Sequence, residues 1–183
     1  MKTLAILSSI FLISAFTPSK RTTLSTDEVK LYKLIMKYRK SKGLPSIPLS
    51  NALSYVAQTH AKDLTNKNPD KKPKCNMHSW SVNKSWSGCC YTSNHAKASC
   101  MWDKPKELTT YPGNGYEIAV RSTILTPEEA LQLWKKSTGH NNVIINKDIW
   151  KKTQWKSIGI GINGQYATVW FGKEDDPEGP PNK

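Results

Sequence analysis

Ala130-Leu-Gln-Leu-Trp134-Lys-Lys-Ser137-Thr-Gly139-His140-Asn141-Asn-Val-Ile-Ile-Asn146, with Ile158-Gly-Ile-Gly-Ile162 and Thr168-Val-Trp170-Phe171-Gly172 behind it, offers a helix, a histidine on a turn and a hairpin in one third of the chain. Ala130, Leu133, Trp134 and Ser137 recur at helical spacing. Gly139 is expected to break that helix and leave His140 just beyond it on a turn, well placed to present its ring. The helix opens at Thr126-Pro127-Glu128-Glu129, with proline at the first helical position and two carboxylates favourable to the N-terminal dipole, so both glutamates have a structural reason. Residues 155–162 and 165–171, separated by Asn163-Gly164, predict an antiparallel hairpin with a type I′ turn.

Upstream the chain reads as helices. Ser25-Thr-Asp27-Glu28 is a capped start, and Leu31, Leu34, Ile35 and Tyr38 form an apolar stripe that ends before Gly43-Leu-Pro45. Leu49-Ser50 caps a second helix, in which Leu53, Val56, Ala57, His60, Ala61 and Leu64 share one face as far as Asn66 and Pro69. His60 thus points inward, and a histidine on an apolar helical face is read as a hydrogen-bonded core residue rather than a ligand. Residues 75–112 predict strand fragments and loops. Trp80, Trp86 and Trp102 lie there, read as packing residues with groove lining as their other use.

Four cysteines, Cys75, Cys89, Cys90 and Cys100, crowd into this segment. Two disulfides are expected, with Cys75 joined to Cys89 or Cys90 and Cys100 to the other, because bridging adjacent Cys89 and Cys90 would be strained. The basic start Met1-Lys-Thr, the apolar run Leu4 to Phe16 and the small residues around Ser14-Ala15 predict a signal peptide over residues 1–19. That run is shorter than the ~18 residues a spanning helix needs, and no other segment reads as a membrane span. The chain is therefore expected to be secreted, extracellular or periplasmic. Residues 26–173 form one domain, and the polar, Pro-rich residues 174–183 are expected to be a loose tail. A net charge of +13 favours acidic partners. Most lysines are scattered and the aromatics do not interleave with them, which argues against nucleic acid.

His78, Glu117 and His140 remain as carriers of chemistry, and here the chain resembles the CAP superfamily of cysteine-rich secretory, antigen 5 and pathogenesis-related 1 proteins, in its secreted bacterial branch. Residues 31–45 and 49–61 are similar to the family's first two helices, and Met77-His78-Ser79 to its first histidine motif. Gly115-Tyr116-Glu117-Ile118-Ala119 resembles its glutamate motif and residues 134–140 its second histidine motif. The Gly-rich hairpin and Trp170-Phe171-Gly172 close the domain, so the resemblance spans about residues 27–172. It implies an α+β fold, a three-layer α-β-α sandwich with a small antiparallel sheet. It also implies a central cleft in which His78 and His140 hold a divalent cation such as zinc, leaving an open position for water.

Two departures bear on catalysis. The family's Gly-Glu-Asn-Ile reads here Gly115-Tyr116-Glu117-Ile118. A shift of one along a strand turns the carboxylate to the opposite face, with Tyr116 towards the cleft, unless a bulge restores Glu117. Ser137 stands where animal and plant relatives carry a second glutamate, so a general base is scarce. Two functions fit these residues. One is a secreted binding module whose cleft and basic surface take up a lipid, glycan or protein. The other is a zinc-assisted, peptidase-like hydrolase with His78 and His140 on the metal, Glu117 as base, and Ser137 or Asn141 in the cleft orienting substrate.

Overall fold

The structure is a computed structural model that describes residues 21–183; the expected signal peptide, residues 1–19, lies outside them. Helix α1, Thr26–Ser41, starts on a capping box: the Ser25 hydroxyl accepts from the Glu28 amide at 3.2 Å, and the Glu28 carboxylate accepts from the Ser25 amide at 2.7 Å. Helix α2, Asn51–Lys67, starts on Ser50, whose hydroxyl accepts from the Leu53 amide at 2.9 Å. Two short helices follow, α3 (Ser99–Trp102) and α4 (Lys104–Leu108), then strand β1 (Gly115–Arg121). Helices α5 (Pro127–Lys136) and α6 (Thr138–Ile144) precede strands β2 (Ser157–Asn163) and β3 (Tyr166–Gly172).

The three strands pair antiparallel in the order β1-β3-β2, so β1 is an edge. Period-two alternation divides their side chains between two layers. Ile118, Val120, Ile158, Ile160, Val169 and Phe171 pack with Leu31 and Ile35 of α1, Trp134 of α5 and Ile144 of α6. On the other face Trp170 packs with Ala52, Leu53, Val56 and Ala57 of α2 and with Trp80, Tyr91 and Tyr111. The molecule is thus an α+β sandwich with helices on both sides of a small sheet.

What lets α2 lie so close is the alternation of glycine with isoleucine in β2. A Cβ on Gly159 would come 2.0 Å from the Leu53 carbonyl carbon, and one on Gly161 2.2 Å from that of Ala57. Both obstacles are helix backbone, which cannot rotate away.

Three local expectations are corrected. The helix break falls at Ser137, which is extended (φ −91°, ψ 112°), and α6 begins at once, so His140 stands on a helix and Gly139 is inside it. Glycine's conformational freedom is not used there. The hairpin turn is centred on Gly164-Gln165, with Gly164 at φ +55° and Asn163 paired to Tyr166 as the last ladder position. Left-handed backbone at the first central residue alone is the requirement of a type II′ turn, not I′. The C-terminal tail is docked rather than loose. Asp176 accepts from the Ser50 hydroxyl at 2.6 Å and the Ala52 amide at 2.9 Å, so its charge sits on the N-terminus of α2. Asn182 pairs with residues 22–24. The disulfides are Cys75–Cys90 and Cys89–Cys100, which resolves the open pairing.

Gly159→Ala is expected to lower stability by more than about 3 kcal/mol or to prevent folding, because overpacking here displaces backbone. Gly139→Ala, in open space within α6, is expected to be neutral or to stabilise by up to about 1 kcal/mol. Chemical denaturation of the two variants side by side checks this, and equal effects would refute it.

Candidate functional site

Glu117 sits on the edge strand with its side chain turned to the α2 face, and it is fully buried. The β1–β3 ladder is continuous from Gly115–Gly172 to Arg121–Tyr166, so no bulge turns it back. Instead, partners come to it. One carboxylate oxygen meets Nδ1 of His60 on α2, and the other accepts from Nδ1 of His78 at 2.8 Å, on the loop that follows Cys75. Nε2 of His60 lies 2.9 Å from the Ser79 carbonyl oxygen, which can only accept. With Glu117 ionised, both ring nitrogens of His60 therefore carry hydrogens, and the pair is a buried ion pair. The His60 ring stacks on Trp80 with centroids 4.2 Å apart and planes within 5°, a geometry that favours a cation.

Burial alone would raise the Glu117 carboxyl, but the charge and hydrogen bonds of His60 and His78 outweigh it and hold it at about 2. His140 lies across from His78, ring centroids 6.3 Å apart. Burial first, then the proximity of His78, lowers it to about 4 against the opposing pull of Glu117, so it is neutral at pH 7.

His78, Glu117 and His140 border a cleft of about 560 Å³ walled by Met101, Trp102, Tyr116, Val143, Ile149 and Trp150. Tyr116, on the opposite face of β1 from Glu117, reaches the same cleft because β1 is an edge strand. Its ring meets Trp150 at 5.1 Å and Trp155 at 5.6 Å, and the Lys173 ammonium lies 4.7 Å from its centre.

The structure does not bring every expected residue here. Ser137 is spent on the junction of α5 and α6, where its carbonyl accepts from the Asn141 amide at 2.8 Å. Asn141 faces α1, its side-chain oxygen accepting from the Tyr38 hydroxyl at 3.0 Å. Neither lines the cleft, since a helical turn at His140 swings Asn141 by about 100° away from it. Of the three tryptophans, Trp102 lines the cleft, while Trp80 is core and Trp86 packs edge-on against it. His60, Tyr91, His95 and Lys173 were not singled out for the site by sequence. His60 carried a signal: an ionisable ring on an apolar face needs a buried partner, and Glu117 was the carboxylate without one.

As a donor set, the site offers two imidazoles. With Nδ1 tied to Glu117, His78 has Nε2 free, the arrangement in which a carboxylate orients a metal-binding histidine. Neutral His140 supplies a second lone pair. Among the described residues no group of three or more His, Cys, Asp or Glu is arranged to hold a metal ion. The residues fit an open two-histidine site completed by water or ligand, not a closed structural one.

The model of the Cysteine-rich secretory protein family, CAP, matches residues 32–169. The chain belongs to this family. Comparison with curated proteins gives no match. Among solved structures, this CAP domain is similar to an extracellular SCP-domain protein of Bacillus anthracis (17% identity, TM-score 0.55, covering 81% of this chain and 40% of that one). It is also similar to an outer surface protein of Borrelia burgdorferi (17%, TM-score 0.54, 85% and 99%). A cysteine-rich secretory protein of Staphylococcus aureus is a third (15%, TM-score 0.52, 81% and 38%). The CAP chain thus spans about two-fifths of the Bacillus and Staphylococcus proteins and nearly all of the Borrelia one; at these identities the likeness is one of fold.

Both pKa shifts have one sign. His140 is held below its ordinary 6.5, so between about 6.5 and 4 the unfolded chain binds a proton the folded one refuses; Glu117, lowered from 4.5 to about 2, does the same over that lower interval. The stability these two groups contribute is therefore full above pH 6.5 and is lost as pH falls through each window. His140→Phe is expected to flatten the loss between pH 7 and 5 by about 1–2 kcal/mol, and Glu117→Gln to cost about 3–5 kcal/mol at pH 7 by stranding the His60 charge. Denaturant titrations across pH check both, and a parental pH slope in His140→Phe would contradict the first.

Proposed function

We propose that this CAP protein is a secreted binding module whose cleft captures a ligand, with His78 and His140 able to hold a divalent cation, such as zinc, at its polar side. Two disulfides point to an oxidising, extracellular setting, and among the described residues no helix is long and apolar enough to cross a membrane. The observation that carries the reading is the engagement of Glu117. Both its oxygens are taken, by His60 and by His78, and it is ionised within a buried ion pair. A hydrolase would need a carboxylate free to accept a proton from water, and this one's acidity, at about 2, makes it a weak base. Its work is to orient His78.

The walls suggest the ligand's chemistry. Trp102, Tyr116 and Trp150 offer flat apolar surface, and Lys173 forms no ion pair among the described residues, so the cleft suits a molecule with an apolar or ring-shaped body and an anionic group. When bound, a zinc ion would add a Lewis-acidic anchor for that group at Nε2 of His78 and at His140.

Calorimetric titration with zinc at pH 7.5, where His140 is neutral, tests the cation. Binding is expected, and it is expected to be absent from a His78→Ala, His140→Ala double variant. Binding that survives the double variant would remove both residues from the site.

A further inference from the structure

From Val29 to Lys40, every exposed position of α1 is a lysine: Lys30, Lys33, Lys37 and Lys40. Spacings of three, four and three residues put them in one file along the helix, about 15 Å long. Exposed helix faces ordinarily mix signs. Like charges at these spacings repel within the helix, so the file costs stability instead of adding it.

Helix α5 packs beside α1 and extends the basic face. Lys30 pairs with Glu128 at the start of α5 at 2.8 Å, whereas at the far end the ammonium groups of Lys42 and Lys135 both converge on the Tyr38 ring, 5.5 and 4.9 Å from its centre. The two helices therefore run in the same sense. Among the described residues, their one cross-helix ion pair, Lys30–Glu128, lies at the N-terminal end. Beyond it Lys33, Lys37, Lys40, Lys42, Lys135 and Lys136 are all exposed, and none forms an ion pair among the described residues. The helix macrodipole accounts for lysines in a last turn, such as Lys40, Lys135 and Lys136. It does not account for Lys33 and Lys37 at mid-helix.

We propose that this face of α1 and α5 is a docking surface for a linear anionic polysaccharide, separate from the cleft. The file of single charges matches a chain with regularly spaced sulfate or carboxylate groups. A lipid surface fits poorly: the apolar side of α1 is already spent on the core, and the exposed large hydrophobic residues, Tyr55, Val82, Ile124 and Ile149, all lie on other elements. Nucleic acid fits poorly too, because the one aromatic ring on this face, Tyr38, is half-buried and capped by two lysines, with no platform for a base.

The test uses heparin as the probe and two triple variants of equal net charge, Lys33→Gln/Lys37→Gln/Lys40→Gln on the file and Lys62→Gln/Lys67→Gln/Lys84→Gln at exposed positions elsewhere. At about 0.15 M salt the file variant is expected to lose about tenfold or more in affinity, with a shallower salt dependence, and the control less than about twofold. Equal losses in both variants, or none in the first, would overturn the proposal by reducing the effect to net charge or placing it elsewhere. Tighter binding to a DNA duplex, or to phosphatidylserine vesicles, than to heparin would overturn it in favour of that partner.

Discussion

The buried contact of Glu117 with His60 and His78 is the constraint around which this molecule is arranged. One carboxylate joins the sheet edge, through β1, to the α2 layer below it and to the disulfide-bearing loop beside it. Its burial would be costly alone, and the two imidazoles compensate for it. His60 is in turn fixed by the Ser79 carbonyl and by Trp80, so the charge pair has no freedom to rearrange. Because His78 receives its orientation from the same carboxylate, the cleft's polar side inherits the rigidity of the core.

The other demand on the fold is proximity. Glu117 and His60 can meet only if α2 lies almost in contact with the sheet, and Gly159 and Gly161 supply that clearance. The isoleucines between them face the opposite layer, where α1, α5 and α6 need bulk. One strand thus serves two layers with opposite requirements, and its alternation of smallest and branched residues is the direct record of both. Asp176, seated on the first turn of α2, holds the same helix from its end.

Much of this was legible in sequence. Ser25 with Glu28, Ser50, and Thr126 with Pro127 mark helix starts by chemistry that acts within one turn, so no tertiary information was needed. The Gly-Ile alternation and the order of the histidine and glutamate motifs were equally local. What escaped were features set by partners distant in the chain. Nothing near residue 176 announces that it will meet Ser50. The break at Ser137 rather than Gly139 follows from packing α5 and α6 on one core, which overrides glycine's local preference. For Glu117, alternation correctly put it on the face opposite Tyr116, but only the position of β1 at the sheet edge lets both faces border one cleft. Ser137, at the position of a family glutamate, is taken up by the break between α5 and α6, and helical geometry turns Asn141 from the cleft although it adjoins His140 in sequence.

The two disulfides have a consequence for how the molecule is divided. Both close short rings within residues 75–100; the second reaches the short helix α3 through Cys100, and neither extends to α1, α2, α5, α6 or the sheet. Covalent cross-linking is thus confined to the wall of the cleft that carries His78, Tyr91 and His95, while the opposite wall, from β1 and α6, relies on packing. The cleft is in this sense assembled from two materials. One half is held by packing alone, and the other by packing together with two covalent bridges, so reducing the disulfides is expected to loosen the wall that carries His78 before the opposite one.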